Sequence, residues 1–418
     1  MIRKWKAYPL YLTMQGALAL FTGIIFTASS IYQVTVAGLT PLQLVLVGTT
    51  IELSIFIFEI PTGVVADVYS RRLSIIFGMF LIGLGSLVEG TFPIFWVILL
   101  AQILWGVGYT FTSGATEAWI TDEIGEAAAG RAFLRGNQVD QIASLAGIGL
   151  GVVLGSLRIS LPIQIGGLLI ALLGLFLALF MAETGFEPAP SQERNSWQKL
   201  AHTFREGVGT VRTRPALMTI LSIGLIYGLY SEGYDRLWTK HILDRFTFPL
   251  AGLFQPVFWF GVIRAVGMIL SVGAAELVRR RVRTEQAVAV ARACWAVSAV
   301  LVISLFGFAL ANTLLVAVIA IWLISMSRNV IGPLYTAWVN QRLDSRVRAT
   351  VLSMSSQVDA IGQVAGGPVV GVIGSRLSVQ AALIASGLTL SPVLLLFPRA
   401  IRLNNGEPIQ RGPAISEE

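Results

Sequence analysis

The sequence predicts an all-α integral membrane protein: twelve transmembrane helices in two pseudo-symmetric six-helix halves. Three observations lead there. Of 418 residues, 55% are hydrophobic and 13% charged, whereas an ordinary soluble domain carries about 25% charged residues. Apolar stretches long enough to cross a hydrocarbon core about 30 Å thick recur from one end of the chain to the other. A displacement of 219 residues then brings the first half into register with the second.

Read by apolar length and by breakers, the helices of the first half fall near 8–32, 41–66, 73–90, 93–121, 131–157 and 161–181. The second set falls near 215–239, 251–278, 285–309, 313–339, 347–374 and 378–398. The cationic start (Arg3, Lys4, Lys6) before an apolar run imitates a signal peptide. The run continues from Tyr8 to about Ile31, longer than the h-region of about 7–15 residues, so it is expected to be the first transmembrane helix. Residues 1–182 and 215–400 form the two halves, 183–214 a central cytoplasmic loop and 401–418 a cytoplasmic tail. Within the loop, Trp197 to Arg212 reads equally as an amphipathic surface helix or as a solvated loop.

The register holds at four places. Ala118 and Trp119 superpose on Ala337 and Trp338; Gln138, Val139 and Asp140 on Gln357, Val358 and Asp359; Gly147 on Gly366; Gly155 and Ser156 on Gly374 and Ser375. Matches at polar residues and tryptophan argue for duplication rather than compositional coincidence. Repeats rocking about a central site are the usual transporter design. Trp119 and Trp338 are expected to be interfacial anchors, and Asp140 and Asp359 architectural.

The formal charge of +7 is distributed by loop. Arg71 and Arg72 follow helix 2, Arg131 and Arg135 helix 4, Arg279 to Arg281 and Arg283 helix 8, and Arg342, Arg346 and Arg348 helix 10. The opposite loops carry little beyond Arg158, Lys240, Arg245 and Arg376. The positive-inside rule therefore places both termini in the cytoplasm of a multi-pass protein of the cell (inner or plasma) membrane. Such short clusters do not make a nucleic-acid surface. The single Cys294 and two histidines give neither an intramolecular disulfide nor a metal cluster. No phosphate-binding P-loop, H-E-x-x-H helix or G-x-S-x-G elbow occurs, so no cofactor and no enzymatic activity are expected.

After helix 2 comes Gly63-Val-Val-Ala-Asp67-Val-Tyr-Ser-Arg71-Arg72. It resembles the signature G-x-x-x-D-x-x-[GS]-R-[RK] of the major facilitator superfamily. A tight turn explains the residue types: Gly63 lets helices approach, Asp67 faces a helix N-terminus or a cation, and the arginines stay at the membrane boundary. The resemblance implies that Gly63, Asp67, Arg71 and Arg72 gate the inward-closed state, with Asp122 as an arginine partner. A degenerate second copy keeps its spacing at Glu276, Arg280 and Arg281. Where many proton-coupled members carry an arginine in helix 4, this chain has Gln102, four residues before Gly106. The glycine-proline run of drug antiporters is absent from helix 5, which offers Gly147, Gly149, Gly151 and Gly155; Gly366, Gly367 and Pro368 stand in helix 11 instead.

An ionised side chain at mid-bilayer costs about 2.5–3.5 kcal/mol on insertion scales, so each needs a partner or a wet cavity. Glu52, Glu232 and Arg264 lie near mid-depth and Arg328 somewhat nearer the cytoplasm, with Glu59, Glu117, Asp140 and Asp359 further toward that face. Glu232 is expected to titrate during the cycle, with Arg264 or Arg328 modulating it from a neighbouring helix; Glu232 and Arg264 reach similar depths on adjacent helices, which would let them meet. In the family resembled, helices 1, 4, 7 and 10 surround the cavity. Helix 4 presents Gln102, Tyr109, Ser113 and Glu117 on one face; helix 7 presents Tyr227, Ser231 and Asp235; helix 10 presents Trp322, Ser325 and Asn329; helix 1 presents Gln15. Aromatic rings beside sparse polar groups suit an amphipathic organic molecule.

The resulting expectation is a monomeric secondary active transporter, exporting a hydrophobic or amphipathic small molecule by proton antiport and alternating access. Its partners would be that substrate, the coupling proton and the lipid bilayer. Uptake of a small organic anion at Arg264 and Arg328 is the alternative, and a non-transporting receptor a third.

Overall fold

The computed structural model describes residues 4–188, 215–250, 252–282, 286–341 and 345–404. The expected helix or loop at Trp197–Arg212 lies outside the described residues, as do Arg283, Arg342 and the chain beyond 404.

Helices α1 to α6 are Ala7–Thr35, Pro41–Val68, Arg71–Thr91, a two-piece α4 (Phe95–Thr112 and Ala115–Ile124), Glu126–Leu157 and Leu161–Phe180. Helices α7 to α12 are Pro215–Arg245, Pro256–Arg281, Ala287–Ala309, Leu314–Asn340, Ser345–Arg376 and a two-piece α12 (Val379–Leu390 and Val393–Asn404). Among the described residues, eleven helices are long and apolar enough to cross a membrane. Helix α7 carries Glu232, Asp235, Arg236, Lys240 and Asp244 in its second half.

Local chemistry sets the boundaries. Pro41, Pro162 and Pro256 occupy first turns, where a missing N–H costs nothing. Thr40 and Gln43 form a capping box, and Ser70, Thr313 and Ser378 accept from the third N–H of their helices. Gly114 (φ 72°) breaks α4 and Gly125 (φ 81°) separates it from α5, so α5 begins at Glu126 rather than 131. At its far end α7 runs past 239 to Arg245, its last turns carrying a Lys240–Asp244 pair at 3.0 Å.

The two halves pack alike. In the first, α1 lies against α5, α3 against α4 and α6, and α2 against α4; in the second, α7 lies against α11, α9 against α10 and α12, and α8 against α10. The repeat-related Gly147 and Gly366 do the same work: a Cβ on either would strike a backbone carbonyl of the facing helix, Leu20 or Leu229. Trp119 and Trp338 are corrected from interfacial anchors to core residues, being 1% and 0% exposed. Trp119 donates its indole N–H to the Ala182 carbonyl at 2.8 Å, and Trp338 packs on Phe397 at 5.4 Å. A ring enclosed in a core removes more apolar area from water than one at a membrane boundary, which favours burial.

Because twelve helices alternate in direction, both termini share one face, here the terminal face, and the α1–α2 and α7–α8 turns share the distal face. The halves meet through α2 with α11 and α5 with α8. These contacts lie toward the distal face: the Leu42 N–H donates to Ser375 Oγ at 2.9 Å, and the Gln255 amide donates to the Ser156 carbonyl at 3.0 Å. The repeat partners Gly155 and Gly374 sit in these two seams, facing Val257 and Pro41 respectively.

Candidate transport cavity

Between the halves lies a cavity of two lobes. The first, about 600 Å³, is walled by α7, α10 and α11 and lined by Tyr227, Tyr230, Ser231, Asp235, Arg328, Tyr335 and Asp359. The second, about 510 Å³, is walled mainly by α1, α2, α3 and α4 and lined by Phe26, Gln33, Glu52, Glu59, Glu89, Gln102, Trp105, Tyr109 and Ser113, with Arg236 entering from α7. Ser356, Asp359 and Gln363 line both. The helix set surrounding the site is thus wider than α1, α4, α7 and α10.

The charges in the cavity are paired in a pattern the helical spacing explains. Arg328 clamps Asp235 with two N–H donors, one of them 2.8 Å from Oδ2, and its guanidinium lies 5.9 Å from the Tyr234 ring. Glu232, with a side chain 3% exposed, receives Arg236 Nε at 3.2 Å one turn along the same helix. The expected Glu232–Arg264 pairing is therefore corrected: Arg236 is closer in sequence and already on the same face of α7. Arg264 instead donates to the Phe26 carbonyl of α1 and lines neither lobe.

In the second lobe Glu89 is 6% exposed and accepts from both amides that flank it, Gln33 at 2.7 Å and Gln102 at 2.8 Å. Trp105 and Tyr109 stack with planes 8° apart and centroids 5.7 Å apart, a turn apart on α4. Asp359 accepts from Gln363 at 2.8 Å.

Several residues read as cavity groups point elsewhere. Trp322 donates to the Ile263 carbonyl at 3.0 Å and Asn329 to the Ser271 carbonyl at 3.2 Å, so this face of α10 packs on α8, as does Ser325 opposite Gly267. Glu117 is exposed on the second piece of α4, and Gln15 lines neither lobe. Asp359, read as architectural, lines both. Glu89, Gln33, Trp105 and Arg236 were missed. The i,i+4 spacing of Glu232 and Arg236, and a carboxylate standing in the apolar run of α3, were the available signals.

At the terminal face, Arg71 pairs with Asp122 and lies 3.8 Å from Asp67. The Arg72 guanidinium donates to the Ala178 carbonyl at 2.6 Å, while its backbone N–H donates to Glu183 at 2.9 Å. Gly63 has no close helix neighbour: a Cβ there meets nothing within 4 Å, so the expected close approach is absent in this conformation. Glu276 pairs with Arg279 and Arg280 at 2.7 and 2.6 Å.

Two six-helix halves around a charged, aromatic-lined cavity define a membrane transport protein. The chain belongs to the Major Facilitator Superfamily, whose profile matches residues 11–366. It is 21% identical to an uncharacterized MFS-type transporter, YxaM, of Bacillus subtilis (strain 168), over 85% of this chain and 86% of that one. Solved structures with the same fold include a point variant of the nucleoside transporter NupG, with 12% identity, a TM-score of 0.78 and coverage of 94% of this chain and 99% of that one. Another is a bacterial homologue of the human lysosomal transporter Spinster, in an inward-facing and unoccupied conformation, with 13% identity, a TM-score of 0.73 and coverage of 95% and 96%.

Proposed function

We propose that this secondary transporter exports an amphipathic small molecule, neutral or cationic, in exchange for protons by alternating access. One observation carries the reading: the two-lobed cavity gathers carboxylates from both halves beside the stacked Trp105–Tyr109 pair. Its lining acids, Glu52, Glu59, Glu89, Asp235 and Asp359, outnumber its arginines, Arg236 and Arg328, both of which already hold a carboxylate. Binding a small organic anion would require a free cation there, which favours the export reading over anion uptake.

Residues 1–182 and 215–400 are the rocking halves, joined by the cytoplasmic segment 183–214 and followed by the tail 401–418. With both termini cytoplasmic in the cell membrane, the terminal face is the inner face and the described conformation is inward-open. Gly63, Asp67, Arg71, Arg72 and Asp122 gate the inner side, and the missing neighbour of Gly63 belongs to the state in which that side is open. Glu232 exchanges the coupling proton as its contact with Arg236 changes, and Glu52 and Glu89 offer further carboxylates to substrate or proton.

The test is flux in proteoliposomes of the purified protein, under imposed proton and sodium gradients, against a panel of amphipathic cations, neutral drugs and organic anions. Proton-driven movement of an amphipath supports the reading. Movement confined to organic anions, or driven only by sodium, overturns it, and ligand binding without any flux points to a receptor.

A further inference from the structure

The seam between α2 and α11 is built from small residues, most of them on α11. Cβ atoms added at Gly371 and Gly374 would meet Leu42 Cα at 3.2 Å and Pro41 Cβ at 2.9 Å. Deeper along the seam, a Cβ on Gly367 would meet Thr49 Oγ1 at 2.7 Å and Val45 Cγ1 at 3.0 Å. Each of these glycines lets α2 come close to α11. One glycine on α2 faces a different helix.

Gly48 faces α7. A Cβ there would run into Glu232 Oε2 and Arg236 Nε and lie 2.8 Å from Arg236 Cζ. The atoms it would displace are side-chain tips, and a free tip moves cheaply. These tips are not free. Glu232 and Arg236 hold each other at 3.2 Å, and the Glu232 side chain is 3% exposed, with its Cβ 3.5 Å from the Cβ position at Gly367. Moving either separates a buried pair, which leaves an uncompensated charge away from water.

We propose that Gly48 is a notch in the first half that receives the Glu232–Arg236 pair of the second, and that the α2–α11 seam closes at the distal face only because position 48 has no side chain. The pair and the seam then share one junction of α2, α7 and α11, so closing the gate and seating the ion pair are a single event. Gly48 acts as a positioning residue for the conformational cycle, and it touches neither lobe of the cavity. The inference rests on alternating access but not on the substrate, the coupling ion or the direction of transport.

The experiment reads the seam itself in the full chain. Leu42→Cys and Ser375→Cys, in a Cys294→Ala background, place thiols at the contact where the Leu42 N–H meets Ser375 Oγ at 2.9 Å. Oxidative crosslinking in native membranes is scored as retention of one band after cutting at a protease site introduced at position 191, and is normalised to protein abundance. Adding Gly48→Ala is expected to slow crosslinking about tenfold or more, since one methylene forced into a packed site displaces an equilibrium by that order. Adding Glu232→Ala and Arg236→Ala to Gly48→Ala empties the space the new methyl needs and is expected to restore crosslinking to within about twofold of the parent.

Parental crosslinking in Gly48→Ala overturns the proposal. So does a loss that the triple variant fails to reverse, because the methyl would then be acting on α2 rather than on the pair. If Gly48→Ala does not reach the membrane, Gly367→Ala tests the same junction from α11 and must also slow crosslinking; parental behaviour there overturns the shared junction. Absence of proton-driven flux in the parent, with crosslinking slowed by Gly48→Ala and restored in the triple variant, overturns the transport reading and supports the junction.

Discussion

Arg236→Ala would leave the Glu232 carboxylate buried with no cation beside it. The side chains are 26% and 3% exposed respectively, so the pair stands between a surface bridge and a fully desolvated one. Breaking a buried pair from one side costs about 3–5 kcal/mol, and the partial exposure of Arg236 to the cavity puts the expected loss near the lower end, at about 3 kcal/mol. Arg236→Ala combined with Glu232→Gln removes the uncompensated charge and leaves an amide beside the cavity whose unmet hydrogen bonds cost about 1–2 kcal/mol, the lower part of the usual range. The double variant should therefore be more stable than Arg236→Ala alone by about 1–2 kcal/mol. Reversible unfolding of the purified protein in mixed micelles, followed by tryptophan fluorescence across the complete double-mutant cycle, measures both quantities. A loss below about 1 kcal/mol for Arg236→Ala, or a double variant no more stable than it, would refute the view that Arg236 balances a desolvated carboxylate.

Glu232→Gln is expected to abolish proton-driven flux while substrate exchange continues at equal abundance; proton-driven flux with unchanged pH dependence would remove Glu232 from coupling. Asp67→Asn and Arg71→Ala should lower flux while ligand binding persists, because they disturb the Arg71 cluster at the terminal face rather than the cavity; unchanged flux in both would take the signature loop out of the mechanism. Tyr109→Ala, which removes one member of the stacked pair, should weaken binding of aromatic substrates up to about tenfold, and a panel of dyes with graded ring size would read this in titrations. Single cysteines replacing Ser191 and Arg245 without Cys294 should differ in labelling by an impermeant reagent added outside, with Arg245→Cys reacting and Ser191→Cys protected; equal external labelling would reverse or void the orientation.

The helical architecture was legible because lipid imposes a simple rule: long apolar runs, bounded by proline, glycine and capping residues, must become rods. The repeat was legible for a different reason. Gly147 and Gly366 must stay small, since each lies under a carbonyl of the facing helix, and such constraints leave matching residues in both halves. The site was harder to read. Sequence depth alone brought Glu232 level with Arg264, yet depth says nothing about which way a side chain points around its helix, and the i,i+4 neighbour Arg236 took the contact. The same ambiguity hid the orientation of α10, whose Trp322 and Asn329 turn to α8 while Arg328, between them in sequence, reaches Asp235. Glu89 stands on α3, outside the helices that the family resemblance places around the cavity, so its helix gave no signal of its role. Trp119 and Trp338 look like membrane-boundary residues by position, and only tertiary packing shows that each is enclosed.

Two of the ion pairs of α7 place different demands on biosynthesis. Glu232 and Arg236 are four residues apart and can neutralise each other as soon as α7 is helical, before any other helix of its half exists. Asp235 has no such companion, for its clamp, Arg328, lies 93 residues later in the chain. At about 5–20 residues per second, a ribosome takes roughly 5–20 s to deliver it. For that interval the newly made helix holds a carboxylate whose clamping partner has not been translated. Slowing elongation between α7 and α10 should therefore expose this helix to quality-control proteases, and shortening that wait is a route to higher yield of the intact protein.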